Sequence, residues 1–68
     1  MTVIVNGEER ELTDGATVAQ LVGELAPAGD GRGIAVACNG NVVVRSAWAE
    51  TPLRAGDRVE ILHAVQGG

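Results

Sequence analysis

One segment of the chain has the hydrophobic period of a helix. Within residues 18–25 apolar side chains recur at i, i+3, i+4 and i+7, which predicts an amphipathic helix. Thr17 precedes the segment and Gln20 follows three residues later, the pattern of a capping box. Pro27 and the glycines after it predict the end of the helix and a loose loop over residues 27–33.

The rest of the chain contains short apolar runs rich in β-branched residues, which predict strands. Asn6-Gly7 and Asn39-Gly40 each separate two runs, and this dipeptide favours a two-residue hairpin turn. Pro52 argues against a central strand in the connection over residues 45–55, where we predict one helical turn around Trp48. The predicted strands cover residues 1–5, 8–12, 34–38, 42–44 and 58–63.

This order of elements predicts an α+β fold. Five short strands and one amphipathic helix share a core when a mixed sheet carries the helix across one face. By analogy with known folds, we expect the first and last strands to pair in parallel at the centre, as in a ubiquitin-like β-grasp. With 68 residues the chain is long enough for one domain. We expect a β-grasp domain over residues 1–63 and a flexible tail over residues 64–68.

Charge and composition exclude several functions. The formal net charge is -4 and the basic residues are all arginine, so the chain is a poor partner for DNA or RNA. Trp48 is the only aromatic residue, which argues against base stacking. A single cysteine, Cys38, forms no internal disulfide, and no leader or long apolar run is present. We therefore expect a cytoplasmic protein without membrane contact, monomeric when free.

The side chains offer little for catalysis. There is one histidine, His63, one cysteine, Cys38, and neither lysine nor tyrosine, so bases, nucleophiles and donors are scarce. A Cys/His dyad is one interpretation; a small buried cysteine and a strand-end histidine is the favoured one. Two such side chains do not make a structural zinc site, and no phosphate-binding glycine motif occurs. We predict that the chain is not an enzyme and binds no cofactor or metal.

The unusual feature is the diglycine Gly67-Gly68 at the end of the sequence. Glycine has no Cβ, so such an end fits a channel too narrow for a side chain. It presents an α-carboxylate, which is ionised at neutral pH and stays inert as an acyl group until it is activated. The alternative is a frayed terminus without a role.

Several segments together resemble one protein family. They are VVVRS at 42–46, WAETPL at 48–53, GDRVEI at 56–61 and AVQGG at 64–68, supported by VNGE at 5–8. The chain resembles the bacterial sulfur carrier proteins of thiamine thiazole biosynthesis, the ThiS family, over essentially its whole length.

The resemblance implies a ubiquitin-like β-grasp fold and a set of roles. Gly68 would be adenylated by a ubiquitin-activating-like adenylyltransferase that uses ATP, then converted to a thiocarboxylate with sulfur from a desulfurase system. Thiazole synthase would receive the sulfur. Gly67, which has no side chain, would let the tail pass through the narrow channel of the adenylyltransferase to reach ATP. Val65 and Gln66 would line the entrance of that channel. The sulfur would reside on the C-terminus and not on Cys38.

Two alternatives remain. The small subunit of molybdopterin synthase shares the fold, the diglycine end and the thiocarboxylate chemistry, although the segment 48–53 and the tail favour the thiamine family. A β-grasp interaction module without a covalent role belongs to another class. One added residue after Gly68 separates a carrier from such a module.

Strand periodicity also suggests a docking surface. If the odd-numbered residues of 3–5 and 59–61 face the helix, Ile4 and Leu62 lie on the opposite face of the sheet. Neighbouring strands would then bring the two side chains into one apolar patch beside the tail, which suggests partner binding, although isolated exposed apolar residues are ordinary.

We expect Trp48 to pack in the core, with its indole N–H donating a hydrogen bond. The alternative is that Trp48 lies at the interface with a partner.

Overall fold

The computed structural model describes residues 1–26 and 32–63. The strands are β1 (Thr2–Val5), β2 (Glu8–Glu11), β3 (Ile34–Cys38), β4 (Asn41–Val43) and β5 (Arg58–His63); the helices are α1 (Val18–Leu25) and a 3₁₀ helix (Arg45–Glu50). The loop residues 27–31 and the tail residues 64–68 lie outside the described residues. The division into a domain and a flexible tail therefore stays a prediction.

The five strands form one mixed sheet in the order β2-β1-β5-β3-β4. β1 and β5 are parallel neighbours at its centre, and the other pairs are antiparallel. β2, which is rich in charged residues, lies at one edge. The predicted α+β architecture is confirmed, with strand ends that differ from the expected ones by one residue at β1, β2 and β4.

The turns and the helix form where the local sequence predicts them. Asn6 and Gly7 have φ of 50° and 85°, and Asn39 and Gly40 have φ of 51° and 85°, the left-handed pairs of a type I′ hairpin turn. Around Thr17 the capping box is complete. The Gln20 backbone N–H donates to the Thr17 hydroxyl oxygen at 3.3 Å, and the Thr17 N–H donates to the Gln20 side-chain oxygen at 2.8 Å.

The core lies between one face of the sheet and the layer that contains α1 and the connection over residues 45–55. Trp48, in the 3₁₀ helix, is 5% exposed, and its indole Nε1–H donates to the Val43 carbonyl at 2.8 Å. The expected packing role of Trp48 is confirmed. No helix in the two described ranges is long and apolar enough to cross a membrane. The buried side chains are Val3, Val5, Leu12, Ala16, Val18, Leu21, Val22, Val36, Trp48, Leu53, Val59 and Ile61.

Candidate functional site

The candidate site lies where β5 ends and the tail begins. Along β5 Val59 and Ile61 point into the core, so the alternation leaves Leu62 on the open face of the sheet, with 65% of its surface exposed. A shallow hollow at this point is lined by Gly33, Ile34, Ala35, Leu62 and His63. The tail side chains Val65 and Gln66, and the diglycine Gly67-Gly68, lie outside the described residues, so their roles stay predictions.

Asn6 holds the end of β5 in place. β1 ends at Val5, so beyond Val59 no residue of β1 pairs with β5. The Asn6 side chain takes the place of a paired strand residue. Its Oδ1 accepts the Ile61 N–H at 2.8 Å, and its Nδ2 donates to the Ile61 carbonyl at 3.1 Å. The Asn-Gly turn therefore fixes the strand one residue before Leu62, a role that the turn motif alone does not predict.

The structure corrects the predicted Ile4–Leu62 patch. Both residues lie on the open face, as the period predicts, but Ile4 pairs with Arg58 in the parallel register. Leu62 is four residues farther along β5, which is about 13 Å at the rise of a strand. The expectation of one shared patch is wrong, because periodicity gives the face of a residue and not the register between strands.

An exposed apolar patch instead extends from β5 toward β3 and β4. Leu62 pairs with Ala35, and Ala37 pairs with Val42, all on the open face of the sheet. Val42 is 77% exposed, and Val44, two residues farther along an extended backbone, is 59% exposed. We call these five residues, Ala35, Ala37, Val42, Val44 and Leu62, the sheet patch. Its residue Leu62 lies one residue before the end of β5.

Cys38 and His63 are too far apart to act together. Cys38 pairs with Val59 and His63 pairs with Ile34, so four residues of β5, about 13 Å, separate them. Burial raises the pKa of the Cys38 thiol, and the nearby Asp57 carboxylate raises it further. The dyad interpretation is therefore wrong, and Cys38 is a weak nucleophile because little of it is thiolate.

The acidic, histidine and cysteine side chains form no metal-binding group in the parts of the chain that the structure describes. Within residues 1–26 and 32–63, no set of three or more of these side chains lies close enough together to hold an ion.

The sheet is mixed with parallel strands at its centre, one helix lies across one face, and the chain ends its last strand at His63. These features define a ubiquitin-like β-grasp domain. The sequence profile of the ThiS family matches residues 3–68. The chain belongs to the ThiS family.

Known proteins agree with this placement. The crystal structure of the thiamine biosynthesis protein ThiS from Geobacter metallireducens superposes with a TM-score of 0.81 at 30% identity, covering 100% of both chains. A solution NMR structure of a thiamine biosynthesis protein from the same organism gives 0.81 at 31% identity, covering 100% of this chain and 88% of the other. A thiazole synthase from Paramagnetospirillum magneticum is 38% identical over 68 residues. That match covers 100% of this chain but 20% of the synthase, so the chain spans about a fifth of the length of this relative.

Proposed function

We propose that the chain is the sulfur carrier of thiamine thiazole biosynthesis and that Gly68 carries the sulfur as a C-terminal thiocarboxylate. The observation that supports this most strongly is the ThiS family match, which extends through the diglycine to residue 68. The thiazole synthase that contains a similar segment supports thiazole synthase as the acceptor of the sulfur.

The proposed chemistry has two steps. A carboxylate oxygen of Gly68 attacks the α-phosphorus of ATP and pyrophosphate leaves, which gives an acyl-adenylate. Hydrosulfide, which a thiol reductant releases from the persulfide of a desulfurase system while the thiols are oxidised to a disulfide, then attacks the acyl carbon and AMP leaves, so the carboxyl group gains one sulfur and loses one oxygen. The thiocarboxylate is a stronger nucleophile than the carboxylate and stays attached to the protein until thiazole synthase uses it.

Adenylation is expected to require a partner enzyme. The sequence has no phosphate-binding loop and no lysine to stabilise the charge that develops on ATP. The purified chain mixed with ATP should release no pyrophosphate, and adding a ubiquitin-activating-like adenylyltransferase should start the release. Pyrophosphate release by the chain alone would contradict the proposal. No release with the partner would argue for an interaction module without covalent chemistry.

We propose that the sheet patch is the surface on which partners dock. Its three large side chains, Val42, Val44 and Leu62, are each more than half exposed, although they are apolar. Their burial against a partner would remove apolar area from water next to the point where the tail begins. Ile4, the second predicted docking residue, lies at the other end of the open face. It pairs with Glu9 and Arg58, so in this proposal it belongs to a charged rim of the interface.

Leu62→Glu is expected to weaken activation without affecting folding. The side chain is on the surface, so the free energy of unfolding should change by no more than about 0.5 kcal/mol. A charge in an apolar interface should raise the KM for the adenylating partner about tenfold or more, roughly 1.4 kcal/mol of binding free energy. Steady-state pyrophosphate release measures the KM, and thermal unfolding measures the stability.

A matched control is Leu25→Glu, the same change at an exposed leucine on the helix layer, 37% exposed. This variant should keep the KM of the unchanged protein. An unaltered KM for Leu62→Glu, or an equal rise for both variants, would show that the sheet patch is not the docking surface.

A further inference from the structure

Glu60 lies on the open face of the sheet, at the border of the sheet patch. Its neighbours along β5, Val59 and Ile61, are buried, so the strand alternation turns Glu60 away from the core. Glu60 pairs with Ala37, and Leu62 is two residues farther along β5, about 7 Å away. Two members of the sheet patch are therefore direct neighbours of a carboxylate.

Water solvates this carboxylate in the free protein. Glu60 is exposed, and none of the ion pairs in residues 1–26 and 32–63 includes it. Arg58 is on the same face, two residues earlier on β5, about 7 Å away between Cα atoms. A partner that covers the sheet patch also removes water from Glu60, and an ionised carboxylate is costly to bury without a counter-charge.

A hollow beside Glu60 has room for a side chain from a partner. β1 ends at Val5, which pairs with Val59, so no residue of β1 lies next to Glu60 on that side. Gly7, in the turn after β1, has no side chain to fill the space. The hollow is lined by Ile4, Asn6, Gly7, Arg58, Val59 and Glu60.

The strand residues of the open face around this hollow carry more negative than positive charge. Glu9 pairs with Ile4, and Glu11 is two residues farther along β2, so both point to the open face. Together with Glu60 they give three carboxylates against the one guanidinium of Arg58. The local field therefore favours a cation over an anion in the hollow.

We infer that the adenylyltransferase inserts a basic side chain, lysine or arginine, into this hollow and pairs it with Glu60 when it covers the sheet patch. This rests on the carrier function and the docking surface proposed above. Leu62 and its apolar neighbours supply buried area, and Glu60 selects the partner. A protein without the cation would have to bury the carboxylate unpaired.

Two substitutions at Glu60 test the pair by the sign of their effect. Glu60→Gln removes the charge and keeps the shape of the side chain. Glu60→Leu extends the sheet patch, so it should strengthen binding to a partner surface that is only apolar and weaken binding to one that presents a cation.

Glu50→Gln is the matched control. It changes the net charge by the same amount, at an exposed glutamate that ends the 3₁₀ helix, on the other layer of the domain. The Kd of each protein for the adenylyltransferase of the native host is measured by isothermal titration calorimetry without ATP, at low and at high salt. Thermal unfolding confirms that each variant is folded.

Both Glu60 variants should raise the Kd about tenfold at low salt, because the cation of the partner is left in the interface without its counter-charge. High salt should weaken the binding of the unchanged protein more than that of Glu60→Gln, because salt screens the pair. Glu50→Gln should bind like the unchanged protein. All three variants change surface residues and should unfold like the unchanged protein.

An unchanged Kd for Glu60→Gln, as expected if Arg58 neutralises the carboxylate, would overturn the inference. A lower Kd for Glu60→Leu, an equal rise for Glu50→Gln or no binding by the unchanged protein would also overturn it. Pyrophosphate release with ATP is measured separately. Binding of the unchanged protein without pyrophosphate release would contradict the proposed function, while the Kd values would still decide whether Glu60 is paired.

Discussion

Adding one residue after Gly68 is expected to abolish activation by the adenylating partner. The added residue moves the carboxyl group by about 3.3 to 3.6 Å along an extended chain. A misplacement of about 1 Å between reacting groups already costs about 100-fold in rate, so pyrophosphate release should fall by at least that factor. Deleting Gly68 moves the carboxyl group by a similar distance in the other direction and should have the same effect.

Gly68→Ala is the informative control for this prediction. It keeps the length of the chain and adds one Cβ, which a channel shaped for glycine would resist. Its rate should lie between those of the unchanged and the extended chain. The thermal unfolding of all variants should match that of the unchanged protein. Full activation of the extended chain would contradict the carrier mechanism.

Trp48→Ala is expected to cause the largest loss of stability. Trp48 is 5% exposed, and truncation of a buried tryptophan costs about 3 to 5 kcal/mol. At about 0.05 to 0.15 kcal/mol per residue, a domain of this size has roughly 3 to 10 kcal/mol in total. The melting temperature should therefore fall by roughly 12 °C or more, measured by circular dichroism because the variant has no tryptophan fluorescence.

Trp48→Phe separates packing from hydrogen bonding. It keeps an aromatic ring in the core but removes the indole N–H that donates to the Val43 carbonyl. A loss of about 1 to 2 kcal/mol is expected, because the partly buried carbonyl loses its partner. If Trp48→Ala unfolded like the unchanged protein and yet failed to dock, the packing role would be wrong and Trp48 would belong to the interface.

The elements that the sequence predicts correctly are those set by local chemistry. Asn-Gly supplies two residues that accept positive φ, so both hairpin turns follow from the dipeptide. Thr17 and Gln20 satisfy each other's backbone N–H groups, so the start of α1 follows from four adjacent residues. The parallel pairing of β1 and β5 required analogy, because it joins residues more than fifty positions apart.

The sheet patch was predicted less well because its composition depends on the register between strands and on segments of identical residues. In the run Val42 to Val44 every residue is valine, so periodicity does not show that Val43 faces the core while its neighbours face water. The side-chain bonds of Asn6 to the backbone of Ile61 join distant parts of the chain and carry no signal beyond the turn motif. Gly67 and Gly68 were identified from the tail sequence and the family resemblance.

The central claim is that Gly68 carries sulfur, and intact mass spectrometry of the protein isolated from its native host tests it most directly. The account predicts a fraction of molecules heavier by one oxygen-to-sulfur exchange, with the change located in the peptide that ends at Gly68 and absent after deletion of that residue. Co-purification with thiazole synthase, and not with a molybdopterin synthase large subunit, would assign the pathway. An unmodified carboxyl group at Gly68, even when the adenylyltransferase, ATP and a sulfur source are all supplied, would contradict the account.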